Sequence, residues 1–159
     1  HGTDGVSGGP ATPSIAGLHG EYFVEVMKGY RDGTAFATIM NRIAKGYTDE
    51  ELSKLASFFA GQKFVPADQK FDQKLADAGA KIHDKWCEKC HAEGGKIIAD
   101  EEYYILAGQW TPYLKYTLED FKTGTREMPK KMKEKFDGMM KKEGDKGVDA
   151  ILAYYASQK

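Results

Sequence analysis

The sequence predicts an all-α protein made of two tandem copies of one small helical domain. Three observations carry this. Apolar residues recur at helical rather than strand spacing, Gly and Pro gather in a few short stretches, and the second half repeats the residue pattern of the first.

Gly- and Pro-rich loops are expected at 5–20, 92–98 and 124–130. From Thr48 the run Thr48-Asp49-Glu50-Glu51 has the form of a capping box, and Leu52, Leu55 and Phe58 continue it at helical spacing to an end near Gly61. A second helix is expected through Phe71, Leu75, Ala78, Ile82 and Trp86, whose steps of 4, 3, 4 and 4 place them on one stripe. Two further helices are expected at Pro112 to Lys122 and Gly147 to Ser157.

The repeat can be read residue by residue. His1, Ala16-Gly17, Tyr22, Tyr30, Gly33 and Met40 precede Ala56-Ser57-Phe58-Phe59-Ala60-Gly61-Gln62. His91, Ala107-Gly108, Tyr113, Phe121, Gly124 and Met132 precede Ala153-Tyr154-Tyr155-Ala156-Ser157-Gln158. The intervals from Gly to aromatic to aromatic to Gly are 5, 8 and 3 in both halves. The next step, Gly to Met, is 7 in one half and 8 in the other. The last step, Met to Gln, is 22 against 26, the extra residues falling in the Gly- and Lys-rich region at Lys141 to Gly147. Two domains are therefore expected, 1–64 and 65–159, joined near Lys63 to Lys70, where Pro66 and several polar residues break the pattern.

Composition sets outer bounds. With 41% hydrophobic and 30% charged residues the chain reads as ordinary and globular, and a net charge of −1 gives no bulk argument for nucleic acid or an anionic membrane. No apolar run approaches the ~18 residues of a membrane span. The chain opens with His1-Gly2-Thr3 and no initiator Met, which is read as a processed or clipped start. Its two cysteines lie too close together to staple distant elements.

Those cysteines belong to Cys87-Glu88-Lys89-Cys90-His91, a C-x-x-C-H motif, the signature of covalent haem attachment. On a turn of helix, residues i and i+3 share a face, so two thiols can each reach one vinyl group, and the next residue presents an imidazole to the iron. Three other readings compete. Zinc would need two more ligands at short spacing. A thioredoxin-like redox pair would follow a buried strand, whereas the upstream segment here is helical. Two inert cysteines would leave the repeat unexplained.

A sixth iron ligand is expected to be Met or His. Met132 is preferred, because it follows Gly124 at nearly the offset by which Met40 follows Gly33; Met128 is the runner-up, and Met139 and Met140 look like helix packing. His opposite Met favours Fe(II) and raises the potential. His1 stands where His91 stands, without a preceding cysteine pair. It is read as the His of a first C-x-x-C-H cut just before it, giving a first haem ligated by His1 and Met40. A frayed terminal residue, or an amino-terminal copper chelate, are the other readings. His83, one turn before Cys87, is expected to be a surface residue or a support to the ligands, and His19 aligns with nothing. Lysines 130, 131, 133, 135, 141 and 142 are expected to form a solvated helix face, with steering of an acidic redox partner as the functional option. No Ser/His/Asp set and no phosphate-cradling loop is present.

The chain resembles the dihaem cytochrome subunits of flavocytochrome c sulfide dehydrogenases nearly end to end. The resemblance is carried by Pro13-Ser14-Ile15-Ala16, Phe23-Val24-Glu25-Val26-Met27, Ile39-Met40-Asn41-Arg42-Ile43-Ala44-Lys45-Gly46-Tyr47 and the C-x-x-C-H motif. Ile105-Leu106-Ala107-Gly108-Gln109-Trp110-Thr111-Pro112-Tyr113-Leu114 and the terminal Tyr154-Tyr155-Ala156-Ser157-Gln158 extend it. It implies two cytochrome c-like haem-binding domains, with one haem held by Cys87, Cys90, His91 and Met132 and the other ligated by His1 and Met40. It also implies a periplasmic protein that accepts electrons from a flavoprotein sulfide dehydrogenase subunit, where FAD is bound, and passes them to a soluble cytochrome. The chain itself would be the non-catalytic electron-transfer part of such an oxidoreductase. Two other readings stay open: a free-standing dihaem carrier of the c4 type, and the cytochrome subunit of another periplasmic dehydrogenase. The missing first cysteine pair departs from the pattern, and sulfide chemistry would reside on another chain.

Overall fold

The computed structural model describes residues 1–96 and 104–159 of the chain. Among them the only regular elements are helical: a 3-10 turn at Thr3–Gly5, then α1 Gly20–Asp32, α2 Met40–Ala44, α3 Asp49–Ala60, α4 Gln73–Trp86, α5 Ala92–Gly95, α6 Thr111–Thr123 and α7 Lys130–Ser157. The architecture is all-helical among the described residues, with two matching halves in tandem.

Local chemistry explains the helix boundaries. The Thr48 capping box forms in full: its hydroxyl accepts from the Glu51 N–H at 3.3 Å, and the Glu51 carboxylate accepts from the Thr48 N–H at 2.8 Å. Asp72 caps α4 by accepting from the Leu75 N–H. Pro112 sits in the first turn of α6, where a missing N–H costs nothing. Both α1 and α6 end on a glycine in the left-handed region, Gly33 at φ 77° and Gly124 at φ 74°.

The repeat is visible in the backbone. Gly17 donates to the Phe59 carbonyl and Gly108 to that of Tyr155, both at 2.8 Å. The Gly5 carbonyl accepts from Ile15 and Ala16, as the Gly95 carbonyl accepts from Leu106 and Ala107. Helices α1 and α6 have the same length, 13 residues.

Several expectations are corrected. Helix α1 is not among the expected helices, although Phe23, Met27 and Tyr30 recur at steps of 4 and 3, and its Phe23 and Met27 pack in the first core. The stripe expected on α4 is only half right: Phe71 is 37% exposed, Leu75 41%, and Ala78 is exposed, while Ala76, Gly79 and His83 form the buried face. Small residues took that face because α4 crosses α7 closely; Leu75 is turned outward, while Ile82 and Trp86 pack against the second core. The last helix, Lys130–Ser157, is interrupted by non-helical Gly144 in the Gly- and Lys-rich insertion; the helix expected at Gly147 to Ser157 is the part beyond that kink, and the part before it is not among those expected. The expected 92–98 loop contains the short turn α5; residues 97 and 98 lie outside the described residues.

Two cores result. One gathers Ile15, Leu18, Phe23, Met27, Leu52 and Ile105; the other gathers Leu114, Met139, Val148, Ile151, Leu152 and Tyr155. Ile105 crosses from the second half of the chain into the first core. The Gln109-Trp110 pair fastens the junction. Fully buried Gln109 exchanges two hydrogen bonds of 2.9 Å with the Ser14 backbone, and the Trp110 indole donates to the Ser7 carbonyl at 3.1 Å.

Candidate functional site

Helix α4 delivers the C-x-x-C-H motif to the wall of a cavity. The helical thread continues through it: Cys87 N–H donates to the His83 carbonyl at 2.8 Å, and His91 N–H to the Cys87 carbonyl at 2.9 Å. Glu88 locks the turn. One carboxylate oxygen accepts from the Glu93 N–H at 3.0 Å, and the other meets the His83 ring at 2.5 Å. The opposite ring nitrogen of His83 pairs with the Tyr155 hydroxyl at 3.0 Å. His83 is only 2% exposed, so the surface option falls away; it ties α4 to α7 directly behind the motif.

The cavity measures about 650 Å³, within the range of cofactor sites. Cys87, Cys90, His91 and Met132 all line it, amid apolar side chains such as Leu118 and Phe136. Met139 also reaches it but is a buried core residue, as expected, and Met140 packs against the same core. Met128 is not part of the lining. Lys131 and Lys135 stand at the cavity, and the lysine series as a whole is exposed.

Burial shapes the donors' protonation. It pushes the Cys87 thiol up to about 11, against the depressed value that a redox-active thiolate requires. With a helix upstream as well, the thioredoxin-like reading loses its basis. Among the described residues no group of three or more His, Cys, Asp or Glu side chains is arranged to hold a bare metal ion. Burial, and then the nearby His83, bring the His91 imidazole down to about 4, so it is neutral at neutral pH, the form that ligates iron.

His1 and Met40 lie outside this cavity. Met40 opens α2 and packs, half-buried, against the first core. Exposed His1 holds its Nδ1 2.9 Å from the Pro13 carbonyl, which fixes that nitrogen as the donor and leaves Nε2 with its lone pair. His19 caps no backbone group with its side chain at the start of α1 and takes no part in the site.

The residues present fit a haem. An apolar cavity of sufficient volume carries two thiols, a neutral imidazole and a thioether on its wall, a donor set suited to thioether attachment and axial iron ligation. Sequence reasoning missed Arg126, Tyr22, Tyr30 and Tyr104, which line the same cavity from both halves of the chain. The signal was there: Arg126 follows Gly124 by two residues, where the repeat places Ala35 after Gly33.

No family model matches the chain. It is 32% identical over 132 residues to a cytochrome c4 of Pseudomonas aeruginosa, covering 79% of this chain and 66% of that protein. Identity to the cytochrome c4 of Thiocapsa roseopersicina is 31% over 136 residues, covering 79% and 69%. The cytochrome subunit of sulfide dehydrogenase of Chlorobaculum tepidum is 42% identical over only 59 residues, 37% of this chain and 53% of that one. Among solved structures, reduced cytochrome c4 of Pseudomonas stutzeri superposes with a TM-score of 0.82 at 24% identity, over all of this chain and 91% of that one. A thiosulfate dehydrogenase (TsdBA) of Marichromatium purpuratum superposes with a TM-score of 0.80 at 22% identity, over 99% of this chain but 35% of that one.

Proposed function

The chain belongs to the cytochrome c4 family, and from that footing we propose that it is a periplasmic dihaem electron carrier acting as the haem subunit of a sulfide-oxidising flavoprotein. The carrying observation is the single cavity that brings Cys87, Cys90, His91 and Met132 together. Cys87 and Cys90 would anchor one haem through thioethers, and His91 and Met132 would ligate its iron. His1 and Met40 provide the ligands of the other. Residues 1–64 and 65–159 form the two haem domains. Haem supplies a one-electron couple, which His–Met ligation places at high potential.

The chain's own residues do the rest. His83 and Glu88 hold the attachment turn against α7, so His91 keeps one orientation. The apolar part of the cavity wall, with Leu118, Phe136 and Leu152, would favour the less charged, reduced state of a bound redox centre. No helix among the described residues is long and apolar enough to cross a membrane.

The partner would carry FAD and deliver electrons, and a soluble cytochrome would take them onward. The short but higher-identity match to a sulfide dehydrogenase subunit supports this reading. The longer matches to cytochromes c4 favour a second, a free-standing dihaem carrier, and the likeness to a thiosulfate dehydrogenase keeps another dehydrogenase partner in view. Affinity purification from the native host separates them. Co-purification with a yellow, FAD-bearing chain that reduces this one on addition of sulfide is expected; a lone red protein would overturn the partner assignment and leave the carrier.

A further inference from the structure

Arg126 stands in the wall of the cavity, whose lining also includes the carboxylates of Glu25, Asp32 and Glu127. It leaves the short loop after α6, with its backbone N–H donating to the Asp120 carbonyl and its guanidinium 5.0 Å from the Phe121 ring centroid. Its Nη2 reaches the Tyr22 hydroxyl at 3.5 Å, a contact from the second half of the chain to α1 in the first. Among the described residues no carboxylate lies within ion-pair distance of it. Its nearest polar partners are phenols: Tyr22, Tyr30 and Tyr104 line the cavity with it. Tyr22 and Tyr104 stack with centroids 6.0 Å apart, and Tyr104 and Tyr113 with 5.8 Å.

A guanidinium stays ionised in a protein, and a half-buried one among aromatic rings loses hydration that only an anion restores well. Phenol hydroxyls add donors but no charge. The arrangement therefore calls for a planar, two-oxygen anion, the shape a guanidinium pairs with best. We propose that Arg126, held by Tyr22 and Phe121, is the carboxylate-binding point of this cavity and pairs with a propionate of the haem attached at Cys87 and Cys90. This rests on the haem reading above. The repeat supplies an internal contrast, because Ala35 occupies the matching place in the first half. Pairing cancels a negative charge near the iron and stabilises the reduced, less positive state. Arg126 thereby raises the potential of the second haem relative to the same haem without it.

The test uses holo chain matured with haem, titrated spectroscopically against potential. Haem content is measured first by pyridine haemochrome; a colourless chain defeats the haem reading itself, separately from the role of Arg126. In the loaded protein, Arg126→Gln is expected to lower the potential of the second haem, with at least a tenfold fall in its reduced-to-oxidised ratio at the wild-type midpoint, ~59 mV for one electron. Arg126→Lys, which keeps the charge, is expected to restore most of it, a rescue that a purely structural role would not give. Tyr22→Phe keeps the ring but removes one anchor of the guanidinium, and is expected to lower the potential by less. An unchanged potential in Arg126→Gln, or a Lys variant as low as the Gln variant, overturns the proposal. If the Gln variant fails to load haem, Tyr22→Phe decides alone, and an unchanged potential there overturns it.

Discussion

Gly79 is the point at which α4 meets α7, and replacing it with alanine sets two effects against each other. By intrinsic propensity, Gly→Ala within a helix stabilises by about 1 kcal/mol. Packing opposes it. A Cβ on Gly79 would lie 2.0 Å from the Ala150 carbonyl oxygen and 2.8 Å from the Tyr154 Cβ. Restoring ordinary contact, about 3.4 Å, requires the two backbones to part by about 1.4 Å at the crossing. Neither neighbour is the free end of a flexible side chain, so the strain cannot be relieved by a rotamer change. Overpacking of this kind costs roughly 1–3 kcal/mol, and a rigid backbone contact belongs at the upper end. The expected net loss is about 2 kcal/mol, a fall in Tm of roughly 4–8 °C for a chain of this size. Differential scanning calorimetry of the holo protein measures it, with Gly20→Ala as the control, since a Cβ there meets only Ala56 at an ordinary 3.9 Å. A Gly79→Ala protein as stable as the wild type, or more so, would refute the close crossing that delivers the cysteine motif.

Three further outcomes are expected. Met132→Ala should abolish the weak long-wavelength band of Met–Fe(III) ligation in the oxidised protein, whereas Met128→Ala should leave it; the reverse pattern would reassign the ligand. Replacing Cys87 and Cys90 by Ala should make the haem of the second domain extractable into acidic acetone, and retention after denaturation would defeat thioether attachment. The Glu88 carboxyl is opposed by burial, but the His83 ring and the backbone N–H groups of Glu93 and Gly94 outweigh it and hold the group below the usual carboxylate range. Its contribution to stability is therefore complete above about pH 4.5 and is lost as pH falls through the depressed folded value. Glu88→Gln should flatten the acid limb of a pH–stability profile, and an unchanged limb would count against the Glu88 lock.

Much of the fold is legible in the sequence because it rests on local chemistry. Thr48 and Glu51 announce a helix start through their own hydrogen bonds, Pro112 marks another, and Gly33 and Gly124 mark matching ends. The repeat adds what no single element could, since equal intervals between glycines and aromatics require equal backbone turns. Periodicity misled at the start of α4, where Phe71, just before the helix, and Leu75 match a helical stripe but face solvent. What decides that face is the closeness of α7 at Gly79, a property of the crossing and not of either helix. His83 illustrates the same limit. A histidine one turn before Cys87 has no sequence mark of burial, because its partner Tyr155 is 72 residues away. At the cavity, the C-x-x-C-H motif and the repeat point to Cys87, Cys90, His91 and Met132, whose spacing carries the chemistry. Arg126 and the tyrosines escaped notice because their roles come from the meeting of α1 with the loop after α6, across about 100 residues.

Intact-mass spectrometry of the denatured chain, produced in a host competent in cytochrome maturation, tests the attachment at Cys87 and Cys90 most directly. The polypeptide should carry the added mass of a porphyrin that survives acid acetone, with neither thiol open to alkylation. A bare 17.7 kDa chain with both cysteines alkylated would contradict the account.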